Sequence, residues 1–224
     1  MENSNNEVEN LLIICAADEG KLKVFLKKRE KEPYYGYWIL PGELLDTKTT
    51  LEESSRQIFN EIVPLDYIKS FAGTTFSNLD RYTDKRVIAL TTVIIADKQL
   101  IDMKKTKENT EWFDVDNLPK LGFDHKEIIE TVSKEIKYKV TCNYEDILLS
   151  LFPSDFTLSE LQTFYENIVG EEIDRRNFKK KITSQDLIID TGIKDIAGGG
   201  RPSTLYRFNI EKMKGTRLWK KNGA

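Results

Sequence analysis

Apolar residues in the first 140 positions alternate between the spacing of strands and the spacing of helices. Residues 10–17 and 22–28 predict two strands joined at residues 19–20, because apolar and charged residues alternate in the second. Residues 51–62 and 126–137 carry apolar positions three and four apart, which predicts two amphipathic helices. Further strands are predicted at residues 68–76, 87–96 and 112–115. This mixture predicts an α+β domain.

Two helices with clear start and stop signals are predicted after residue 150. Thr157 and Glu160 have the spacing of a capping box, in which each side chain bonds a free backbone donor at the start of a helix. That helix is expected to end at Gly170. Asp174 is placed to cap a second helix running to about Ser184. Two helices with a short connection predict a helix-turn-helix.

Two strands are predicted beyond these helices, at residues 187–190 and 204–208. The glycine-rich segment between them, residues 191–202, predicts a flexible hairpin tip. Helix, helix, strand, basic loop and strand follow one another in the order of a winged helix. The change of pattern therefore predicts two domains, one at residues 8–139 and one at 140–224.

Positive charge is concentrated at the C-terminal end of the chain. The net charge is −3, yet residues 174–224 contain 13 Lys and Arg against 5 Asp and Glu, and the remainder contains 21 against 32. A basic segment on an acidic body is typical of a localised polyanion-binding module, since phosphate contacts supply most non-specific affinity for DNA. On charge alone, a solvated basic tail remains an alternative.

The second helix and the hairpin tip supply candidate DNA-binding residues. Arg and Asn can form bidentate contacts with bases, whereas Lys suits phosphates. An arginine at a wing tip can enter a minor groove or hold a phosphate. An ordinary basic solvent face is the alternative for the helix. The candidates are Arg175, Arg176, Asn177, Lys179, Lys180, Arg201 and Thr157.

Membrane insertion and histidine-based metal chemistry are not expected. The longest apolar runs, such as residues 11–17, are too short to span a bilayer, and the acidic, polar start does not resemble a signal peptide. Cys15 and Cys142 lack metal-ligand spacing, and His125 is the single histidine, so no metal site is predicted. We expect a cytoplasmic protein with a buried Cys15 thiol.

The N-terminal domain resembles the Nudix fold, a mixed α/β/α sandwich. The resemblance lies in Leu-Lys-Lys-Arg at residues 26–29, Trp-Ile-Leu-Pro-Gly at 38–42 and the helix that follows. Nudix enzymes hold divalent cations with glutamates on that helix, because hard cations need several oxygen ligands. The corresponding positions here are Ile58, Glu61 and Ile62. With Glu61 alone left, the chain is predicted not to be a diphosphate hydrolase and to require no cofactor.

The whole chain, over roughly residues 10–210, resembles the Nudix-related transcriptional regulator family, NrtR. The resemblance implies a homodimeric bacterial repressor that binds double-stranded operator DNA and whose Nudix domain binds a small-molecule effector. Effectors in the family include ADP-ribose from NAD metabolism, and relatives respond to sugars or sugar phosphates. The matching motifs lie at residues 112–115, 118–119, 123–125, 174–178 and 200–208.

The candidate effector-binding residues are Arg29, Arg81, Arg86 and Glu61. Residues 80–86 lie where the family has an Arg-Asp-Pro-Arg loop near the ligand, and arginine suits bidentate phosphate recognition. Each arginine has the alternative of being an ordinary surface residue. The identity of the effector and the sign of its effect stay open at this point.

Two other functions remain open from the sequence. One is a Nudix hydrolase of a nucleoside diphosphate derivative, acting through Glu61 with Glu52 or Glu53. Those two glutamates also fit the first turn of a helix, where the helix dipole favours negative charge. The other is a dimerisation scaffold with no effector.

Overall fold

The computed structural model describes residues 6–63, 69–83, 85–102, 108–141, 145–152, 155–196 and 202–213. The chain forms two compact units. The first contains Met1–Ala16 and Lys23–Lys134, and the second contains Ala17–Leu22 and Glu135–Ala224. The domain boundary inferred from the sequence at residues 139 and 140 stays a prediction.

The first unit is built on a seven-stranded mixed sheet. Its strands are β1 (Glu7–Asp18) as far as Ala16, β2 (Lys21–Lys28) from Lys23 onward, β3 (Trp38–Ile39), β4 (Gly42–Leu44), β5 (Lys69–Ala72), β6 (Val87–Ile95) and β7 (Thr110–Asp114). Its helices are α1 (Leu51–Ile62), α2 (Lys98–Asp102) and the part of α3 (His125–Thr141) that precedes Glu135. The order is β3-β2-β1-β6-β5, with β4 added to β1 and β7 to β2. β1 and β6 run parallel, which is why β1 is buried along most of its length.

Helix α1 packs on this sheet through its apolar face. Thr50 and Glu53 form a capping box at its start, so its first backbone donors are satisfied. Ile58, Phe59 and Ile62 are buried on the side that faces the sheet. The core cluster they join is completed by Leu12, Ile14, Phe25, Val63, Ile94, Ala96 and Ile101.

Strand β1 also buries the thiol of Cys15. Its side chain has no exposed surface, and burial raises the pKa of the thiol to about 12. A thiolate is disfavoured there because charge is costly in an apolar environment. The buried Cys15 expected from the sequence is therefore observed.

The second unit contains four helices and a three-stranded sheet in its described parts. The elements are α4 (Glu145–Leu151), β8 (Phe156–Thr157), α5 (Leu158–Val169), α6 (Arg175–Ser184), β9 (Ile188–Asp195), β10 (Ser203–Phe208) and α7 (Ile210–Met213). The sheet order is β8-β10-β9. Phe156 packs against Phe152 and Phe208 in the core, with ring centroids 5.4 and 4.7 Å away. Across the described ranges, no helix has the length and apolar character needed to cross a membrane.

The helices of the second unit agree closely with the sequence-based prediction, whereas the hairpin tip does not. Thr157 caps α5 and Gly170 ends it at a φ of +73°. Asp174 caps α6, which ends at Ser184. The flexible tip predicted at residues 191–202 is wrong over its first part, because β9 continues to Asp195 and pairs with β10 as far as Ser203. Residues 197–201 of the predicted tip lie outside the described residues.

Candidate nucleic-acid interface and ligand site

Helix α6 presents a basic face over a buried apolar one. Phe178 and Ile182 are buried in the core of the second unit, with 1% and 0% of their surface exposed. Asp174 holds the start of the helix by accepting a hydrogen bond from the backbone N–H of Asn177 at 2.8 Å. The DNA-binding candidates on this helix are all exposed: Arg175, Arg176, Asn177, Lys179 and Lys180.

A polar groove of about 470 Å³ lies beside this helix. In it Arg175 Nη2 lies 3.4 Å from the Ser159 hydroxyl, and on the wing Lys194 Nζ donates to Thr204 Oγ1 at 2.5 Å. The groove therefore brings together three predicted DNA-binding residues, Thr157, Arg175 and Lys179, with hydroxyl groups from α5 and from the wing. Its lining residues are Thr157, Leu158 and Ser159 of the α5 start, Arg175 and Lys179 of α6, and Pro202, Ser203, Thr204 and Tyr206 of the wing.

Thr157 serves as the cap of α5. It is only 8% exposed. Its hydroxyl accepts from the Glu160 N–H at 3.2 Å, and its own N–H donates to the Glu160 carboxylate at 2.7 Å. Both ends of the predicted capping box are thus formed. The DNA-binding role assigned to Thr157 stays a prediction, and Arg201 lies outside the described residues.

In the first unit, Arg29 lines a cleft of about 310 Å³. Its Nε donates to the Pro33 carbonyl at 2.6 Å, and its Nη2 donates to the Glu32 carbonyl at 3.3 Å. The guanidinium also lies over the Phe123 ring, 4.8 Å from its centroid. Cations outnumber carboxylates two to one in the lining, which consists of Lys27, Lys28, Arg29, Glu30, Lys31, Ile39, Glu108 and Thr110.

An aromatic cluster adjoins Arg29. The Phe123 ring contacts the rings of Tyr34, Tyr82 and His125, with centroid distances of 4.8, 5.1 and 5.4 Å. Tyr34 and Phe123 have φ angles of +69° and +55°, a left-handed conformation that is costly for an aromatic residue. The mutual packing of these rings holds both residues in place. The Phe-Asp-His motif at residues 123–125 is visible in the sequence, but local spacing does not predict this cluster.

Arg81 is the centre of a buried ionic network. Its side chain is 1% exposed, and it forms ion pairs with Asp124 at 2.5 Å and Glu9 at 3.3 Å. The Tyr82 hydroxyl donates to the second Glu9 oxygen at 3.2 Å. Burial raises the pKa of Glu9 despite the opposing charge of Arg81. Two carboxylates thus hold the guanidinium, and the effector contact assigned to Arg81 stays a prediction.

The other three effector candidates, Arg81, Arg86 and Glu61, are not among the described residues that line the cleft of Arg29. Arg86 is half-buried, and its Nη1 has no hydrogen-bond partner among the described residues. Glu61 is exposed on α1. Their roles in effector binding stay predictions.

His125 is a buried structural residue. Its Nδ1 accepts a hydrogen bond from the Leu40 N–H at 2.9 Å. Burial lowers its pKa to about 3, with the nearby Arg81 and Arg29 contributing in the same direction. The ring is therefore neutral and fixes the backbone that follows β3.

The α1 positions predicted to correspond to the Nudix glutamates do not form a carboxylate cluster. Ile58 and Ile62 are each 4% exposed and belong to the core cluster. Glu52 pairs with Arg56 at 3.0 Å, and Glu53 belongs to the capping box. Within the described ranges, no group of three or more His, Cys, Asp or Glu could hold a metal ion.

Together, a mixed α/β domain with a basic cleft and a winged helix whose helix α6 has an exposed basic face define a class: DNA-binding regulators that carry a ligand-binding domain. Residues 148–208 match the family model of the NrtR DNA-binding winged helix domain. The matched residues lie in the second unit, and the fold of the chain is that of solved NrtR structures, a Nudix domain followed by a winged helix.

Two relatives match different lengths of the chain. The chain is 29% identical over 212 residues to the ADPR responsive transcriptional repressor NtrR of Acinetobacter baylyi, covering 89% of this chain and 81% of the relative. It is 33% identical over 109 residues to an ADP-ribose pyrophosphatase of Methanocaldococcus jannaschii, covering 48% of this chain and 64% of the relative.

Solved structures share the fold of the whole chain. The crystal structure of Shewanella oneidensis NrtR complexed with a 27mer DNA has a TM-score of 0.74 and 24% identity, and covers 92% of this chain and 95% of that one. A MutT/nudix family protein from Enterococcus faecalis has a TM-score of 0.66 and 21% identity, and covers 92% of this chain and 89% of that one. These likenesses confirm the predicted fold class, a Nudix-like α/β/α domain followed by a winged helix.

Proposed function

We propose that this protein is a transcriptional repressor whose affinity for operator DNA is set by ADP-ribose or a related phosphate-bearing ligand bound to its Nudix domain. The observation that carries the proposal is the exposed basic face of α6 in a winged helix of the NrtR family. The likeness to the ADPR responsive repressor NtrR along 89% of the chain supports it.

The DNA partner is inferred from α6. Recognition helices read base edges in the major groove with their exposed side chains, and arginine and asparagine suit guanine and adenine. Arg176, Asn177 and Lys180 lie on the exposed side of α6, away from Phe178 and Ile182. These three side chains are the proposed base-reading set.

The effector is inferred from the cleft beside β2. Its surplus of cations favours an anionic ligand, and Arg29 lies where its guanidinium can contact a phosphate at the edge of the aromatic cluster. The Nudix domain of Shewanella oneidensis NrtR has been crystallised with ADP ribose. We assign the diphosphate of such a ligand to this cleft.

Hydrolysis of the ligand is not part of the proposed function. Nudix hydrolysis needs several neighbouring carboxylates to hold cations and activate water. Here two of the helix positions are buried isoleucines, so Glu61 has no carboxylate beside it at those positions. The likeness to an ADP-ribose pyrophosphatase makes hydrolysis the second candidate.

A homodimer in the cytoplasm is the proposed working form. Helix-turn-helix dimers bind two half-sites one helical turn apart, so the symmetry of the protein matches that of the operator. Light scattering on the purified protein, alone and with operator DNA, tests this. A protein mass of one chain in the free sample and one chain per duplex in the complex would contradict the dimer.

Fluorescence anisotropy tests the function directly. The full chain is titrated into a duplex from its own upstream promoter and into a scrambled duplex, with and without ADP-ribose. We expect preferential binding to the promoter that ADP-ribose changes, and loss of the preference in Arg176→Ala/Lys180→Ala. Arg56→Ala, an exposed substitution on α1, is the matched control and should bind like the wild type.

Two outcomes would overturn parts of the proposal. Equal binding to promoter and scrambled DNA, unchanged in the α6 variant, would remove operator recognition. Release of AMP from ADP-ribose with Mg²⁺, lost in Glu61→Gln, would put the hydrolase first. A response to sugar phosphates but not to ADP-ribose would keep the repressor and change the effector.

A further inference from the structure

We infer that the groove between α5, α6 and β10 is the site for one phosphate of the DNA backbone, and that Arg175 and Lys179 hold this phosphate instead of reading bases. The inference rests on the proposed DNA-binding function. It divides the basic residues of α6 into two sets with different tasks.

The geometry of α6 separates the two sets. At 3.6 residues per turn, successive side chains are about 100° apart. Arg175 and Lys179 are one turn apart and lie next to the buried stripe of Phe178 and Ile182. Lys180 points almost directly away from that stripe. Arg175 and Lys179 therefore flank the helix, and their side chains line the groove, which Lys180 does not.

The charge in the groove is unbalanced. Of the described residues that line it, two are cations and none is a carboxylate. In contrast, the cleft of the first unit contains two glutamates. Two like charges that share a groove without a carboxylate repel each other, and an anion placed between them relieves this repulsion.

The remaining lining groups suit a phosphate. Ser159 and Thr204 place hydroxyl groups in the groove, and a hydroxyl can donate to a phosphate oxygen. The Arg175 guanidinium lies 3.4 Å from the Ser159 hydroxyl, so the two donors converge on one region. Lys194, bonded to Thr204 at 2.5 Å, adds a positive charge at the wing side. A phosphate diester has two anionic oxygens that can accept from both sides of the groove.

The position of the groove favours a backbone contact over base reading by its cations. A recognition helix lies lengthwise in the major groove, with its outermost side chains toward the bases and its flanks toward the two backbones. Arg175 and Lys179 lie on such a flank, beside the wing. A phosphate contact carries no sequence information, although it fixes the register of the protein on the duplex.

The test compares two variants of the full chain that remove the same charge from the same helix. They are Arg175→Ala/Lys179→Ala and Arg176→Ala/Lys180→Ala, both pairs exposed and four residues apart. Affinity for promoter and scrambled duplexes is measured by anisotropy between about 50 and about 200 mM KCl, the range in which phosphate contacts dominate the salt dependence.

For Arg175→Ala/Lys179→Ala we expect both duplexes to be bound more weakly by the same factor. The slope of log affinity against log salt should fall by about 1, the value for one lost phosphate contact. The ratio of promoter to scrambled affinity should not change. Arg176→Ala/Lys180→Ala should instead lower that ratio.

A scan with neutral analogues of the backbone phosphates locates the phosphate that Arg175 and Lys179 contact. Single methylphosphonates are placed along the promoter duplex, and one position per half-site should weaken wild-type binding but not binding by Arg175→Ala/Lys179→Ala. Loss of the promoter preference in that variant, or an unchanged set of sensitive phosphates, would overturn the inference. Wild-type protein that binds neither duplex would overturn the proposed function itself.

Discussion

Arg81 and Arg207 each form a bidentate ion pair with an aspartate, and the first pair is buried whereas the second is exposed. Arg81 binds Asp124 with its side chain 1% exposed, whereas Arg207 binds Asp155 with 61% of its side chain exposed. The desolvation penalty of a buried charge is offset only while its ion-pair partners are present. Removal of one partner therefore leaves a buried charge without an opposite charge beside it. Solvent screens the exposed pair and weakens it.

Arg81→Met should therefore destabilise the protein by about 3–5 kcal/mol, because it leaves two carboxylates buried without their cation. Arg207→Met should leave the unfolding midpoint close to that of the wild type. Urea unfolding followed by tryptophan fluorescence and circular dichroism measures both. Equal losses in the two variants would show that Arg81 is not structurally coupled to Glu9 and Asp124.

His125 predicts a pH dependence of stability. Its pKa is about 3 in the folded protein and about 6.5 when unfolded, so below pH 6.5 the unfolded state gains a proton that the folded state does not. The stability that neutral His125 supplies is complete above about pH 6.5 and falls by about 1.4 kcal/mol per pH unit toward pH 3.

The variant His125→Gln keeps an acceptor for the Leu40 N–H without a titrating group. It should be less stable than the wild type at pH 7.5, and the difference should shrink at pH 5. Urea unfolding at both pH values checks this. A difference that stays constant would mean that His125 titrates normally in the folded state.

At the scale of single elements, helix α1 buries two of the positions that are predicted to correspond to the Nudix glutamates. Its inward positions Ile58 and Ile62 are in the core cluster, while Gln57 and Asn60 are exposed on the same helix. Carboxylates at the inward positions would be buried without partners, at a cost of several kcal/mol each.

Ile58→Glu/Ile62→Glu should therefore unfold the first unit at pH 7 and should not create Mg²⁺-dependent hydrolysis of ADP-ribose. Gln57→Glu/Asn60→Glu adds the same charge to the exposed face and should melt close to the wild type. Thermal unfolding and AMP release measure the two effects. A folded inward variant that releases AMP would show that α1 can turn these positions toward a ligand.

Elements stabilised by neighbours in the chain were predictable from the sequence. The caps of α5 and α6 lie within a few residues of the helices they start, so Thr157, Gly170 and Asp174 gave the bounds of both. The length of β9 depends on pairing with β10, which local composition does not show. Local composition therefore predicts a tip for the whole glycine-rich run, although its first part is strand.

The same limit applies to the candidate sites. The burial of Arg81 follows from Asp124 and Glu9, which lie 43 and 72 positions away in the chain. Arg175 meets Ser159 across 16 positions. Residue type suggested anion binding in both cases, but only the fold separates a guanidinium held by carboxylates from one in a groove without them.

On the scale of the whole molecule, the proposed function couples two binding events. If the effector weakens operator binding by some factor, operator DNA must weaken effector binding by the same factor, because both describe one thermodynamic cycle. This requirement holds whatever the path of the coupling between the units.

Calorimetric titration of ADP-ribose into the free protein and into protein saturated with promoter duplex measures how much DNA weakens effector binding. Anisotropy with and without ADP-ribose measures how much the effector weakens DNA binding. The two factors should agree within error. The Arg29→Ala variant should weaken effector binding in both titrations, since Arg29 lines the cleft that is proposed to bind the effector. Unequal factors would indicate a further species, such as a change of oligomeric state.

The rate at which the buried Cys15 thiol is alkylated reports how often the first unit opens. An alkylating reagent reacts with a thiolate, which can form at Cys15 only when β1 leaves the sheet. Peptide mass spectrometry distinguishes its labelling from that of Cys142, which lies outside the described residues. Any ligand that binds the folded unit lowers the open population and slows labelling by mass action. Metabolite fractions could thus be screened for the natural effector without DNA and without a guess at its identity.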